Sequence, residues 1–237
     1  MIKWLEDAVF YEVYPQSFRD SNGDGIGDIP GITEKLEYIQ ELGCNALWIN
    51  PCFTSPFYDA GYDVEDYYSV APRYGTNEDL KKLFEAAHQR GMHVLLDLVP
   101  GHTAVTHPWF QESMKAEKNE YTDRYVWTDS LYKRMEDVKG IVSVLRGISP
   151  RPASCGVNCF STQPALNYGF ANITDAGWQQ PTDAPGPMAT REELKNIMRF
   201  WLTLGCDGFR VDMAGSLVKN DEDKKRRSAC GRMCGHF

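Results

Sequence analysis

One hydrophobic pattern recurs three times along the chain. Apolar residues fall three and four apart, a glycine follows, and an unbroken apolar run comes next. "ITEKLEYIQELG" sets Ile32, Leu36, Ile39 and Leu42 on one face and passes through Gly43 into "CNALWINP". "TNEDLKKLFEAAHQRG" groups Leu80, Leu83, Phe84 and Ala87 and passes through Gly91 into "MHVLLDLVP". "TREELKNIMRFWLTLG" groups Leu194, Ile197, Met198, Trp201 and Leu202 and passes through Gly205 into "CDGFRVDMA". This spacing predicts amphipathic helices. Thr76 with Asp79, and Thr190 with Glu193, have the spacing of capping boxes that satisfy the first backbone donors. Each glycine suits the left-handed residue that closes a helix.

The apolar runs do not alternate, so they read as strands buried on both faces. That marks a parallel sheet covered by helices. "AVFYEVYPQSF" supplies a further strand ahead of the first helix. Alternation of strand and helix predicts an α/β fold. Between Gly101 and about Met188 no helix of this kind is legible, and Pro, Gly, Asn, Ser and aromatics are frequent. So long a stretch reads as a functional excursion or a small inserted domain. The expected organisation is an α/β part over residues 1–100, an insertion over 101–188, the α/β part continued over 189–225, and an irregular tail over 226–237.

Bulk properties narrow the partners. The chain has 237 residues, 42% hydrophobic and 24% charged, an ordinary globular composition. Its net charge of −8 argues against nucleic acid or an anionic membrane surface. No apolar run approaches the roughly 20 residues of a membrane span. The N-terminus shows no secretory pattern, so a cytoplasmic location is the default expectation. Of the seven cysteines, Cys44, Cys52 and Cys206 lie in or beside apolar runs, where a thiol is usually a small core residue. Cys155 and Cys159, with Cys230 and Cys234, are too far apart in sequence for a compact zinc finger.

The strand ends carry chemistry. After the first strand, "RDSNGDGIGDIPG" places oxygens at alternate positions: Asp20, Asn22, Asp24, the carbonyl of Ile26, and Asp28. Such a loop suits Ca²⁺, or Mg²⁺, although an EF-hand's closing Glu is replaced by Gly31. The alternative is a solvated acidic turn that caps the next helix. Asp97 ends "HVLLDLV" and Asp212 ends "GFRVD". A carboxylate in a buried strand must be paired or hydrogen-bonded. Arg210, two residues before Asp212, points to the same face of the strand and suits a cation that keeps the carboxylate ionised. A structural ion pair is the competing reading. Two strand-end aspartates, His102 and the aromatic-acidic loop "NPCFTSPFYDAGYDVEDYY" together favour a carbohydrate site.

These motifs resemble the α-amylase family, glycoside hydrolase family 13. "DLVPGH" and "GFRVDMAG" are similar to its first and second motifs, and "QPALN" to its extra motif in the inserted domain. "DSNGDGIGDIPGI" and "GYDVEDYY" are similar to the calcium and substrate loops of oligo-1,6-glucosidase-like members. The resemblance implies a (β/α)8 barrel of which the first four β/α units are present, with a small domain inserted between the third strand and the third helix. It implies that Asp212 is the nucleophile of a retaining reaction on α-glucans or α-gluco-oligosaccharides, oriented by Arg210. Asp59, Tyr62 and His102 would hold the sugar, Asp97 would support the site, and Asp20, Asn22, Asp24, Ile26 and Asp28 would bind the metal.

Two departures stand out. The family usually has Asn just before the His of its first motif; here that residue is Gly101. No residue matches the family's general acid, a Glu after the fifth strand, so the chain is expected to be a fragment inactive alone. The tail "KKRRSACGRMCGHF" has neither period and is expected to be aberrant from near Arg226. An endo-acting α-amylase and a trehalose synthase-like transglycosylase are the alternatives within the family. A non-catalytic carbohydrate-binding remnant is the alternative outside it.

Overall fold

The structure, a computed structural model, describes residues 3–221. The expected tail from Arg226, with Cys230 and Cys234, lies outside the described residues. In chain order the elements are β1 (Phe10–Val13), α1 (Pro15–Phe18), α2 (Ile29–Glu34), α3 (Leu36–Glu41), β2 (Ala46–Ile49), β3 (Phe53–Thr54), β4 (Asp66–Val70) and α4 (Asn77–His88). There follow β5 (His93–Leu98), α5 (Pro108–Ser113), β6 (Ser143–Leu145), β7 (Cys155–Val157), α6 (Pro185–Leu204) and β8 (Gly208–Val211). The chain forms two compact units. No helix among the described residues is long and apolar enough to cross a membrane.

The first unit comprises Met1–Ser55, Asp66–Leu98 and Ile197–Val211. Its centre is a four-stranded sheet in the order β1-β2-β5-β8, every pair parallel. These are the four apolar runs read from the sequence. Leu47, Ile49, Val94 and Leu96 are fully buried and share one face of the sheet; on the other face Trp48 and Leu95 are half-buried, and no residue of β8 is fully buried, so burial on both faces is kept only in part. β3 and β4 add a small antiparallel pair that the hydrophobic pattern does not show. Trp201 is fully buried in this unit, stacked on Phe53 at 5.0 Å, with Nε1 donating to the Tyr67 carbonyl at 2.8 Å.

The helix signals are kept in part. Thr76 and Asp79 form the expected capping box, and Leu80, Leu83, Phe84 and Ala87 are the buried face of α4. Gly43, Gly91 and Gly205 have φ of +86°, +69° and +122°. After each, the next amide bonds back to a helix carbonyl: Cys44 to Ile39, Met92 to Ala87 and Cys206 to Trp201. Thr190 is different. α6 already begins at Pro185, because proline fits a first turn whose N–H groups have no helical partner. Thr190 is therefore mid-helix, and its hydroxyl donates to the Gly186 carbonyl at 3.1 Å. The first expected helix is broken at Lys35 (φ −104°, ψ 7°) into α2 and α3. Leu42 and Leu202, placed on core faces by the periodicity, are exposed.

The second unit comprises Pro56–Glu65, Val99–Asn196 and the described part of Asp212–Phe237. Val126, Met135, Val138, Ile141, Ala165 and Phe170 form its apolar cluster. The short helix α5 and the β6–β7 hairpin are set among irregular segments joined by isolated bridges, such as His102 to Ala165 and Tyr125 to Leu166. So long a segment stays ordered because its backbone groups find partners outside helices and ladders.

Candidate active site

In the first unit the register of β5 and β8 sets Asp97 opposite Arg210. The Asp97 carboxylate is fully buried. It accepts Arg210 Nη1 at 3.0 Å and 3.2 Å on its two oxygens, and Trp48 Nε1 at 3.0 Å. The guanidinium also lies 4.9 Å over the Trp48 ring. A buried carboxylate so held avoids the cost of an unpaired charge.

The second unit holds the residues expected at the sugar, Asp59, Tyr62 and His102, together with Asp212, while the expected metal ligands lie in the first. Gln163, fully buried, donates from Nε2 to Asp59 Oδ2 at 2.6 Å. Asp63, also fully buried, accepts the backbone amides of Tyr58 and Asp59 at 2.8 Å and 3.1 Å, which fixes the loop that presents Asp59. Burial pushes the Asp59 carboxyl above its ordinary range. The Gln163 bond opposes that shift, and the charges of Asp63 and Asp212 add to it. Asp212 is half-buried, and the residue after it, Met213, has φ +45°. His102 is 1% exposed. Its Nε2 lies 3.0 Å from the Tyr62 carbonyl and its Nδ1 3.0 Å from Asn158 Nδ2. Burial, with Lys219's charge nearby, pushes the imidazole down to about 4, so it is neutral at physiological pH. Asp59, Tyr62, His102 and Asp212 thus belong to one compact unit.

A family model described as the alpha-amylase catalytic domain matches residues 12–231. The chain belongs to the alpha-amylase family. An oligo-1,6-glucosidase from a Bacillus species is 38% identical over 219 residues, 92% of this chain and 40% of that protein. A trehalose synthase/amylase from Mycolicibacterium smegmatis is 42% identical over 224 residues, 92% of this chain and 35% of that protein. Among solved structures, the alpha-glucosyl transfer enzyme XgtA superposes with a TM-score of 0.75 at 37% identity, covering 91% of this chain and 38% of that one. An isomaltulose synthase mutant from Erwinia rhapontici, solved in complex with sucrose, gives 0.75 at 35% identity, covering 90% and 36%. The chain spans about two fifths of the length of these relatives, or less.

In this alpha-amylase-family chain the acidic loop after α1 is held from within. Asp20 accepts the amides of Asn22, Gly23 and Gly25, Asn22 Oδ1 accepts that of Asp24, and Asp24 Oδ1 accepts that of Ile26. The bonds from Gly25 and Gly23 lower the Asp20 pKa. Asp28 is the N-cap of α2, its Oδ1 accepting Gly31 N at 2.6 Å while Oδ2 accepts Ser21. The helix-cap reading of the loop therefore applies to Asp28. Among the described residues no three His, Cys, Asp or Glu side chains are grouped to hold a metal. A cation here would draw on Asn22 and the Ile26 carbonyl beside Asp20 and Asp24, an all-oxygen set that fits a hard ion in its donor chemistry.

Four residues of the second unit were not singled out by the sequence reading. Gln163 and Asp63 fall inside motifs already noted, so "QPALN" and "GYDVEDYY" carried the signal without assigning a role. Asn158 and Lys219 gave none. Cys159, half-buried, has its thiol pushed up, first by burial and then by the charges of Asp59 and Asp212, which places it in their electrostatic reach.

Proposed function

We propose that this chain supplies the sugar-holding and nucleophilic part of a retaining glycosidase that acts on α-glucosidic bonds of α-glucans or short α-gluco-oligosaccharides. Asp212 attacks the anomeric carbon and forms the glycosyl-enzyme, which water then hydrolyses. Arg210 is the cation of the same motif, two positions earlier, and Asp97 supports it. Asp59, fixed by Gln163, and Tyr62 contact the sugar, with His102 behind them. The observation that carries the reading is geometric. Within one unit, hydrogen bonds run from Ser216, in the segment after Asp212, through Asn158 and His102 to Tyr62, so the nucleophile candidate and the sugar-binding candidates share one region. A Ca²⁺ in the acidic loop would be structural. The cysteines described as free thiols support a reducing, cytoplasmic setting.

Retaining hydrolysis also needs a proton donor for the leaving oxygen. No motif read here supplies one, so the chain by itself is proposed to bind without turning over. The test titrates it with maltose and isomaltose by calorimetry and assays glucose release in parallel. Saturable binding that Asp59→Asn weakens at least tenfold, with no glucose released, is the expected result. No binding by the wild type overturns the site, and glucose release overturns the need for a donor from elsewhere. Glucosyl transfer is the second reading, favoured by the likeness to proteins named trehalose synthase and alpha-glucosyl transfer enzyme. It passes through the same intermediate and differs in the acceptor.

A further inference from the structure

We infer that Gly101 and Asn158 are a matched pair, in which the missing side chain at 101 leaves the room from which Asn158 positions His102. Four segments of the second unit meet at this point. A Cβ built on Gly101 would lie 2.5 Å from Asn158 Nδ2, closer than side-chain packing allows. Asn158 is 1% exposed, so its amide fills that space and cannot swing into solvent.

The hydrogen bonds fix what Asn158 does. The Tyr62 carbonyl can only accept, so His102 Nε2, 3.0 Å away, carries the ring proton. In the neutral ring Nδ1 is then an acceptor, and the group facing it at 3.0 Å must donate. That group is the NH₂ of Asn158. Its Oδ1 is thereby turned to Ser216, whose hydroxyl lies 3.2 Å away and has the Met213 carbonyl at 2.9 Å as a second acceptor. The Asn158 backbone is held independently, its N–H donating to the Gln163 carbonyl at 3.1 Å. The path runs Ser216, Asn158, His102, Tyr62. It joins the segment after Asp212 to the loop that carries Asp59 and Tyr62. Asn158 is a positioning residue: the Tyr62 carbonyl fixes the proton on Nε2, and the Asn158 amide supplies the donor that Nδ1 then requires, holding the ring from its other side. Its value for sugar binding rests on the function proposed above; the positioning does not.

The test is made on the ligand-free chain, so its outcome is separate from that of the sugar titration. Long-range ¹H–¹⁵N correlation of the histidine rings reports the His102 tautomer, assigned by loss of its signals in His102→Gln. The wild type is expected to show one tautomer, protonated at Nε2. Asn158→Leu, which keeps bulk and removes the donor, is expected to move the Nδ1 shift toward that of an acceptor nitrogen without a donor, while Nε2 keeps its proton. A merely structural role would leave Nδ1 in place, and an unchanged Nδ1 shift overturns the proposal. The pair is tested by a double-mutant cycle. Gly101→Ala is expected to lower Tm by roughly 3–10 °C in the wild type, as overpacking does. In an Asn158→Ala background it is expected to cost less than a third of that. Equal losses in both backgrounds overturn the pairing. If Gly101→Ala alone does not fold, a folded Gly101→Ala/Asn158→Ala double variant supports it and an unfolded one overturns it.

Discussion

Arg210 on β8 reaches Asp97 on β5, its Nη1 lying 3.0 Å and 3.2 Å from the two carboxylate oxygens. The two sides of the pair are unequal. Asp97 is fully buried, while the Arg210 side chain is 37% exposed. Removing the cation strands a charge in the core; removing the charge leaves a cation that still reaches water. Arg210→Met is expected to cost about 3 kcal/mol and Asp97→Asn about 1 kcal/mol, because the asparagine still offers Trp48 and Arg210 an acceptor. Urea midpoints of the two variants check the order, and a larger loss for Asp97→Asn would contradict it.

Asp59, proposed above to contact the sugar, is expected to cost stability at neutral pH. Its folded pKa is raised, so the native state binds more protons than the unfolded one just above the ordinary value of 3.8. Stability therefore falls as pH rises through that window. Asp59→Asn keeps an acceptor for Gln163 and removes the charge. It is expected to be at least as stable as the wild type at pH 7, the advantage closing as pH falls below 3.8, while sugar affinity drops. Thermal melts between pH 3 and pH 7 would show it, and a variant less stable at neutral pH would refute it.

Two buried bases have the opposite sign. His102 is pushed from 6.5 down to about 4, and Lys219, fully buried with Nζ on the Ser216 carbonyl, from 10.5 down to about 7. Each binds fewer protons folded than unfolded, so stability rises with pH between about 4 and 6.5 for His102 and between about 7 and 10.5 for Lys219. The His102 step is worth about 3 kcal/mol when complete. His102→Gln is expected to flatten the acid limb and Lys219→Met the alkaline limb, each leaving the other in place. Urea midpoints from pH 4 to pH 10 measure both slopes.

Trp201 combines packing with a buried hydrogen bond, and substitutions separate the two. Trp201→Phe keeps most of the stack on Phe53 but leaves the Tyr67 carbonyl without its indole donor, at a cost of about 1–3 kcal/mol. Trp201→Ala adds the cavity and is expected to cost about 3–5 kcal/mol. Equal losses in a denaturant titration would mean that the bond contributes everything and the ring nothing.

The acidic loop makes a distinction of its own. Asp20 holds three backbone amides, so Asp20→Ala is expected to destabilise the chain with or without metal. Asp24 accepts one backbone amide and the exposed Asn22 side chain at 3.2 Å, so Asp24→Ala is expected to cost the metal-free protein less than Asp20→Ala does. If Ca²⁺ binds, a concentration 100-fold above Kd stabilises the wild type by about 2.7 kcal/mol, and Asp24→Ala removes that gain. A wild-type Tm that ignores millimolar Ca²⁺ and Mg²⁺ alike would reject the site.

Periodicity exposed the frame and little else. The four parallel strands and their closing glycines were legible because runs of apolar residues and left-handed closure leave direct marks on sequence, although β1 and β8 have only one fully buried residue between them, Val13. The break at Lys35 was not, since Ile32, Leu36 and Ile39 keep helical spacing across it and all are buried. Thr190 misled because a capping box has the same spacing whether or not a helix is already under way. In the inserted region β6 and β7 have three residues each, too few for alternation to register. Within the candidate site, Asp59 and Tyr62 were named through their motif. Asn158 was not, because its partner His102 is 56 residues away and neither residue's neighbours announce the contact.

The pairing of β5 with β8 also bears on how the first unit forms. Asp97 and Arg210 stand opposite each other yet are 113 residues apart in sequence, with most of the second unit strung between them. β1, β2 and β5 can assemble across much shorter connections, but β8 can dock only after that long loop is closed, and closure entropy is met before any contact repays it. The last strand to arrive is the one that carries Arg210 and leads directly into Asp212. On this route the segment that leads into Asp212 takes its place late in folding, and a chain caught before that step would have a three-stranded sheet without β8.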